Sequence, residues 1–413
     1  MAETALARVR ARASRPTPPA PRSVRAGAPP AIVGIGQTAF ARSLGIGEAE
    51  VAAIAIRAAL DDAGLERRDV DGVCLYDIES NGVAEVAATL GMDRVRYFST
   101  HSHGGGSYCA VVASAAAAIR AGQASVVLAF RARNRGRRSS FGRGFTQGGR
   151  PWEKIERRIA GFYQWQVPFG VVAPAHEMAL IARRHMLEFG TSEDHFGEVA
   201  VAMRAHAVRN PHALMREPIT LADHHASRWV AEPLRLLDCC LESDGGCALV
   251  LTSADRARDL RRRPAHIHAA VQCLGPAHHH PHDWFGFERR RWMRAAAERL
   301  WGDAGLRPDD VDAAMLYDHF TPMVLLALED WGFCAPGGSG PFAASGALRW
   351  PEGRLPVNTH GGQLSEAFIH GFNNLTEAVR QLRGTSSCQV PGAEVVFVAA
   401  ASSDPNGALL LTR

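Results

Sequence analysis

A few features of the 413-residue chain have residue types and spacing that could do chemistry, and each offers a different kind. Gly104-Gly105-Gly106 stand just ahead of a helix predicted from about Tyr108 to Ile119. Glycines there bare the backbone where free N–H groups and the positive helix end can face an anion. Such triplets are also common in plain turns. Lys154 is the only lysine, hence the only side chain able to form a Schiff base, but Glu153, Glu156, Arg157 and Arg158 around it imply a solvated amine. His278-His279-His280-Pro281-His282-Asp283 has metal-ligand residue types. Consecutive side chains point apart and proline makes the run loop-like, so a surface linker is expected and no metal site is assigned. The eight cysteines show no repeated spacing, which argues against a disulfide framework, and no Cys-x-x-Cys pair.

The elements that must position these groups follow from the apolar pattern. Ala31–Gly36 reads as a buried strand, 48–60 as a helix stopped by Gly64, and Val70–Tyr76 as the next strand. The helix ending at Gly122 is followed by Ser125–Phe130, a continuous apolar run of the kind buried on both faces. Strand and helix in alternation predict an α/β fold with a mainly parallel sheet. An internal repeat is the strongest signal. Asp62-Ala63-Gly64-Leu65 recurs as Asp303-Ala304-Gly305-Leu306, 241 residues on, and Asp69-Val70-Asp71 and Leu75-Tyr76-Asp77 match Asp310-Val311-Asp312 and Leu316-Tyr317-Asp318 at the same offset. Val126-Val127 resembles Val395-Val396, each after a helix ending in glycine. An ordered series of matches means two copies of one α/β unit.

Residues 1–30 hold six arginines, one acid and six prolines, the composition of a disordered tail or, with less support, a transit peptide. The first copy is expected over 31–265 and the second over 266–413. An insertion over about 131–235 opens with seven arginines in twenty residues (Arg131, Arg133, Arg135, Arg137, Arg138, Arg143, Arg150) and carries a helical stretch at 174–189. A net charge of +4 over 46 basic and 42 acidic side chains does not suggest a nucleic-acid binder, and no apolar run reaches membrane-spanning length. A soluble, cytoplasmic protein without nucleic-acid or membrane partners is expected.

In Ile32–Phe40, Asn210-Pro211-His212-Ala213, Pro233–Gly246 and Leu355–Gly371 the chain resembles the thiolase superfamily, and within it the sterol-carrier-protein-type thiolases. Phe130-Arg131-Ala132-Arg133-Asn134, Tyr317-Asp318-His319-Phe320 and Val357–Glu366 are similar to the retro-aldolases of bacterial steroid side-chain degradation. The resemblance implies a thiolase-like fold, two repeated α/β halves in a five-layered core with a loop domain inserted in the first half. A thiolase nucleophile would fall at Gly105; Cys109 lies inside the helix, where a small buried thiol fits, and no cysteine stands near Ala400–Ser403. Ala367-Phe368-Ile369 replaces the thiolase Gly-His-Pro. Claisen chemistry by the usual route is therefore not expected.

What the resemblance implies instead is aldol cleavage of a coenzyme A thioester, with no cofactor beyond that substrate. Its enolate can rest in a hole of hydrogen-bond donors without lysine, metal or cysteine. Gly104, Gly105 and Gly106 are one candidate source of donors, and His360, beside Gly361 and Gly362 in the family's active-site loop, is another. Tyr317 matches an acid–base tyrosine of the aldolases, with Asp318 or His319 able to assist; it could also merely end a strand, as Tyr76 does in the first copy. Phe368 departs from the family, which carries a second tyrosine there; His360, His370, Tyr317 or water would then protonate the enolate. The arginine cluster reads either as a solvated loop or partner interface, or as a basic rim for the coenzyme A phosphates.

The expected reaction is retro-aldol cleavage of a tertiary β-hydroxyacyl-CoA of a steroid or similar polycycle to a ketone and a short acyl-CoA such as propionyl-CoA. The partners the resemblance implies are a second copy of the chain and a small OB-fold, zinc-ribbon subunit. Two alternatives stay open: a non-catalytic subunit that binds acyl-CoA or lipid or acts as a scaffold, and an acyltransferase using Cys109.

Overall fold

The computed structural model describes residues 27, 29–76, 82–101, 104–134, 166–273, 288–400 and 406–413. The tail, Asp77, most of the arginine cluster, Lys154 and the 278–282 histidines lie outside them. The first copy runs β1 (Pro30–Gln37), α1 (Glu48–Ala63), β2 (Gly72–Tyr76), α2 (Val83–Leu90), β3 (Tyr97–His101), α3 (Ser107–Arg120) and β4 (Val126–Arg133). The insertion supplies α4 (Pro174–Phe189), α5 (Glu193–Arg209), α6 (Leu221–Ala226) and the small pair β5 (Trp229–Ala231) and β6 (Leu234–Arg235). β7 (Gly245–Ser253) and α7 (Ala254–Ala257) complete it. The second copy runs β8 (Ala265–Cys273), α8 (Glu288–Ala304), β9 (Ala313–Leu316), α9 (Thr321–Asp330), α10 (Ser339–Ala344), α11 (Gly362–Ser365), α12 (Phe372–Arg383), β10 (Val395–Ala399) and β11 (Asn406–Thr412).

Nine strands form one sheet in the order β3-β2-β4-β7-β1-β8-β11-β10-β9. Read outward from the centre, β1-β7-β4-β2 mirrors β8-β11-β10-β9, which is the duplication in space. The expected mainly parallel sheet is corrected: only β2 with β3, β2 with β4 and β9 with β10 run parallel. The remaining pairs are antiparallel. Continuous apolar runs report burial on both faces, and that burial suits either direction; the connections decide which.

The two half-sheets join through only Ala31↔His266 and Ile32↔Ala265. Between them lie α3 and α12. Val111, Val112 and Ala115 of α3 and Leu375 and Val379 of α12 share one core with inner-face residues of both halves, among them Leu249, Met315, Val398 and Leu409. On one outer face Ile56 and Leu60 of α1 pack with Leu128 and Phe130. On the other, Met293 and Leu300 of α8 pack with Leu316 and Phe397. The result is five layers, α/β/α/β/α. Bare backbone in β1 permits the close packing of α1: a Cβ at Gly34 or Gly36 would stand 2.2 Å from a carbonyl oxygen of that helix.

The repeat extends to single hydrogen bonds. Gly64 and Gly305 both take the left-handed conformation, at φ 70° and 65°. Asp71 Oδ1 accepts from the amides of Ser125 and Val126 at 2.7 and 2.8 Å, and Asp312 Oδ2 from those of Glu394 and Val395 at 2.8 and 2.9 Å. Among the described residues, no helix is long and apolar enough to cross a membrane.

Candidate active site

Tyr317 follows directly on β9. The side chain of Asn358 grips the residue before it on both sides, Oδ1 accepting from Leu316 N and Nδ2 donating to Leu316 O, each at 2.8 Å. Tyr317 N donates to Ala399 O at 3.2 Å. With both neighbours fixed, the ring is held among Tyr108, His319 and Phe368, at centroid distances of 5.9, 4.8 and 6.2 Å. Burial pushes the phenol well above its ordinary value, with Tyr76 and Cys240 adding to the rise; the guanidinium groups of Arg133 and Arg131 pull the other way. At neutral pH the hydroxyl therefore keeps its proton.

Asp318 does something other than assist that proton. Its Oδ1 accepts from Gln363 N at 2.8 Å and its Oδ2 from Leu364 N at 3.2 Å, so it caps the short helix α11. Burial, against these amides, pushes its carboxyl up to about 7. Just past β9, Tyr317 keeps to the inner core with Ala313 and Met315, whereas Asp318 turns to the α11 loop.

The loop carrying α11 is supported by the insertion. Asn210 Nδ2 donates to His360 O at 2.9 Å and to Glu366 Oε1 at 2.8 Å, and Arg204 Nε to Ser365 Oγ at 3.0 Å. A Cβ at Gly361 would stand 2.6 Å from that of Ala207, so α5 lies directly on the loop. His360 is buried, with Nε2 3.6 Å from Glu366 Oε2, longer than a hydrogen bond. Burial, helped by the positive charge of Arg380, lowers its pKa to about 3, which makes it a neutral imidazole. Burial also raises Glu366 to about 7.

Phe368 and His370 meet two arginines that the sequence reading placed in a loop cluster. Arg131 and Arg133 are the end of β4, and both are fully buried. That corrects the solvated-loop and phosphate-rim readings for these two. In the period-two alternation of Phe130-Arg131-Ala132-Arg133, Phe130 and Ala132 face α1, and the arginines take the inner face. Arg133 Nη1 donates to Phe368 O at 2.9 Å with the guanidinium 4.5 Å above the Phe368 ring. Ser243 Oγ accepts from Phe368 N at 2.8 Å. Arg131 donates to His370 Nδ1 from Nε at 3.1 Å and Nη2 at 3.0 Å. His370 itself has φ 51°, a conformation that costs about 1–3 kcal/mol outside glycine.

Gly104–Gly106 form one 3₁₀ turn running into α3. Tyr108, in the first turn of that helix, stacks on Tyr317 and donates from its hydroxyl to Ala399 O at 2.5 Å, so the glycine turn and the aldolase-like tyrosine belong to one site. The structure thus gathers Tyr108, His319 and Phe368 around Tyr317, with His370 against Phe368 and with His360, Gly361 and Gly362 on the loop that carries those two. Cys109 is buried, Sγ 3.8 Å from Val398 O, and burial raises its thiol far above the range of a reactive thiolate. Among the described residues no cluster of His, Cys, Asp or Glu could hold a metal ion.

Comparison with known proteins agrees with this geometry. Residues 277–404 match the model of the thiolase C-terminal domain-like family. The chain is 45% identical over 384 residues to a steroid side-chain-cleaving aldolase of Thermomonospora curvata, covering 92% of this chain and 97% of that one. It is equally identical to the 17-hydroxy-3-oxo-4-pregnene-20-carboxyl-CoA lyase of Mycobacterium tuberculosis, covering 92% and 98%. The solved Ltp2-ChsH2(DUF35) aldolase superposes with a TM-score of 0.84 at 42% identity, over 94% of this chain and 99% of that one. Human mitochondrial 3-ketoacyl-CoA thiolase, 13% identical with a TM-score of 0.67 over 93% and 99%, shares the fold. The fold is that of the thiolase superfamily. Within it the chain belongs to the family of the side-chain-cleaving aldolases, and it is a carbon–carbon lyase without the thiolase cysteines.

Proposed function

We propose that the chain cleaves a tertiary β-hydroxyacyl-CoA of a steroid or similar polycycle by a retro-aldol reaction, releasing a ketone and propionyl-CoA. The observation that carries the reading is Tyr317, a buried phenol with its proton in place, packed against the loop of His360 and Phe368. The net reaction moves the β-hydroxyl proton to the α-carbon. A single un-ionised tyrosine can do this as a relay: its oxygen takes the substrate proton while its own passes to the enolate carbon. No second phenol is then required, and Phe368 is accommodated. Neutral His360 and the amides of the Gly104–Gly106 turn are the donors proposed for the enolate oxygen, with Gly361 and Gly362 letting the His360 loop pack closely on Ala207 and Asp318. His319 flanks the Tyr317 ring as a further polar contact, and Asp318 is a positioning residue.

The solved relative's name joins a second component, ChsH2(DUF35), and this supports a partner subunit here too. We take that partner to be a small OB-fold, zinc-ribbon protein, and the assembly to be a dimer of such pairs in the cytoplasm. Phe368 favours a second reading, a subunit retained for acyl-CoA binding alone. The test is to co-express the chain with any zinc-ribbon protein encoded beside it and supply a steroid 17-hydroxy-20-carboxyl-CoA. Mass spectrometry follows the 17-ketone and propionyl-CoA for wild type, Tyr317→Phe and Phe368→Tyr. Turnover that falls about 10²–10⁴-fold in Tyr317→Phe supports the aldolase. Activity seen only in Phe368→Tyr supports the binding subunit.

A further inference from the structure

Gln363, on α11, is fully buried and uses every hydrogen bond its side chain has. Its Oε1 accepts from Ile369 N at 3.1 Å and Gly371 N at 3.3 Å, and its Nε2 donates to Asn373 Oδ1 at 2.7 Å and Asn374 Oδ1 at 3.0 Å. An amide side chain has two donors and two acceptor sites, so none is left over. Backbone groups settle which end points where. The amides of Ile369 and Gly371 only donate, so they face the oxygen. Asn374 Nδ2 donates at 3.0 Å to Leu316 O, which only accepts, so the oxygen of Asn374 faces Gln363. The main chain of Gln363 is held too, its N–H donating to Asp318 Oδ1 at 2.8 Å.

These bonds reach both neighbours of Tyr317 and both neighbours of His370. Leu316 is tied through Asn374 and Asp318 directly, while Ile369 and Gly371 share one oxygen. The turn so enclosed needs support, since His370 stands at φ 51° and Gly371 at φ 86°. It also rests on the ring stack of the site. A Cβ on Gly371 would stand 2.6 Å from Tyr108, whose ring stacks on Tyr317, and Phe368 at the start of the turn lies 6.2 Å from Tyr317.

We propose that Gln363 is a positioning residue that fixes the Phe368–Gly371 turn against Tyr317, so that both meet one substrate as the carbon–carbon bond breaks. The role rests on the retro-aldol reading above. The relay asks the Tyr317 hydroxyl to reach the β-hydroxyl and the α-carbon at once, and the turn is the wall that sets where the substrate lies. A displacement of about 1 Å in such an arrangement costs on the order of 10²-fold in rate. Gln363 touches no reacting atom; its effect passes through the residues it holds. The amide is specific to the task. A glutamate of the same shape accepts from the turn but lacks the N–H pair for the asparagines, and a methionine of similar length does neither.

The test uses the whole chain with its partner and three variants. Gln363→Met removes all four bonds, and Gln363→Glu keeps the turn's acceptor and weakens only the tie to Asn373 and Asn374. Asp71→Ala, which loses two backbone hydrogen bonds away from the site, is the control for stability alone. In Gln363→Met kcat per folded enzyme falls ~10–10²-fold while KM stays within ~threefold, and in Asp71→Ala both stay within ~twofold. Gln363→Glu lies between, and it carries the kinetic test if Gln363→Met does not fold.

Two readouts need no substrate. Hydrogen exchange over residues 366–372 reports the amides of Ile369 and Gly371, which exchange faster in Gln363→Met and stay protected in Gln363→Glu. Fluorine spectra of protein labelled with 3-fluorotyrosine report Tyr317, one of only five tyrosines and assigned by its loss in Tyr317→Phe. Its resonance shifts in both Gln363 variants, and that of Tyr97 on β3 does not. Wild-type kcat in either folded variant, or an equal loss in Asp71→Ala, overturns the proposal. So does a Tyr317 resonance that stays in place. If wild type cleaves nothing, the retro-aldol reading falls and the kinetic consequence with it, and the exchange and fluorine results alone judge whether Gln363 joins the turn to Tyr317.

Discussion

Gly362 lies so close against Asp318 that a Cβ on the glycine would stand 2.0 Å from Asp318 Oδ2. The glycine also needs φ 63°, which other residues rarely adopt. Because the same carboxylate caps the amides of Gln363 and Leu364, the two residues act as one clamp on the loop that carries His360, Phe368 and His370.

Gly362→Ala is expected to destabilise the fold by about 2 kcal/mol or more, from the clash and the left-handed backbone together. Asp318→Ala leaves two buried N–H groups unpaired, at about 1–3 kcal/mol each. Since the alanine at 318 also removes the clashing oxygen, the double variant loses less than the two single losses combined. Denaturant midpoints of the four proteins check this; strict additivity would sink the clamp.

Glu366 gives a pH dependence with a definite sign. Its folded pKa of about 7 is raised by burial above the unfolded value of 4.5, so the folded state binds the extra proton between them. The contribution to stability is full below about 4.5 and is lost as pH rises through about 7. Glu366→Gln is uncharged like the protonated form: its amide oxygen still accepts from one of Asn210 and Asn373, and the other asparagine keeps its backbone acceptor, His360 O or Ala367 O. Near pH 5 the variant and wild type are expected to unfold at similar denaturant concentrations, and by pH 8 the variant is the more stable by at least about 1 kcal/mol. An offset that stays constant across this range would contradict the buried, protonated carboxyl.

Much of the fold was legible because it is written twice. Gly64 and Gly305, and Asp71 and Asp312, recur at one offset, and each pair has the same conformation or hydrogen bonds in space. Strand direction was not legible, because apolar runs in β7 and β11 signal burial rather than orientation. Arg131 and Arg133 were misread since five further arginines follow them in the next seventeen positions, which made composition outweigh the period-two pattern of the strand they end. Asp318 stood next to Tyr317 in sequence, yet beyond the end of β9 the two side chains go to different tasks, one to the inner core and one to the α11 loop. For the two arginines the period was present in the sequence, and residue type outweighed it.

Cys109 separates the aldolase from any acyltransferase. Its thiol is enclosed by α3, β10 and β11, with burial as the cause of its raised pKa. A thiol held in that form neither attacks a thioester nor reacts with iodoacetamide at neutral pH. Cys109→Ala is therefore expected to keep kcat within about threefold and to lose about 1–2 kcal/mol of stability from a small cavity. Rapid stoichiometric alkylation of Cys109, blocked by acyl-CoA, would restore the acyltransferase alternative.

The duplication itself makes a prediction about energetics. Asp71 and Asp312 each receive two backbone amides at the start of the strand that continues their half-sheet, β4 in one copy and β10 in the other. They do the same work in sites that share no partner. Asp71 has an additional ion pair to Arg96 at 3.1 Å, but the arginine is more than half exposed, and such pairs contribute little. Asp71→Ala and Asp312→Ala should therefore cost similar amounts, about 1–3 kcal/mol each, and the double variant should lose their sum within about 0.5 kcal/mol. Urea unfolding followed by circular dichroism measures all three. A cost at one site several times that at the other would mean that the halves have diverged in how they hold their central strands. A double loss far from the sum would mean that the two strand starts are coupled through the α3 and α12 layer between them.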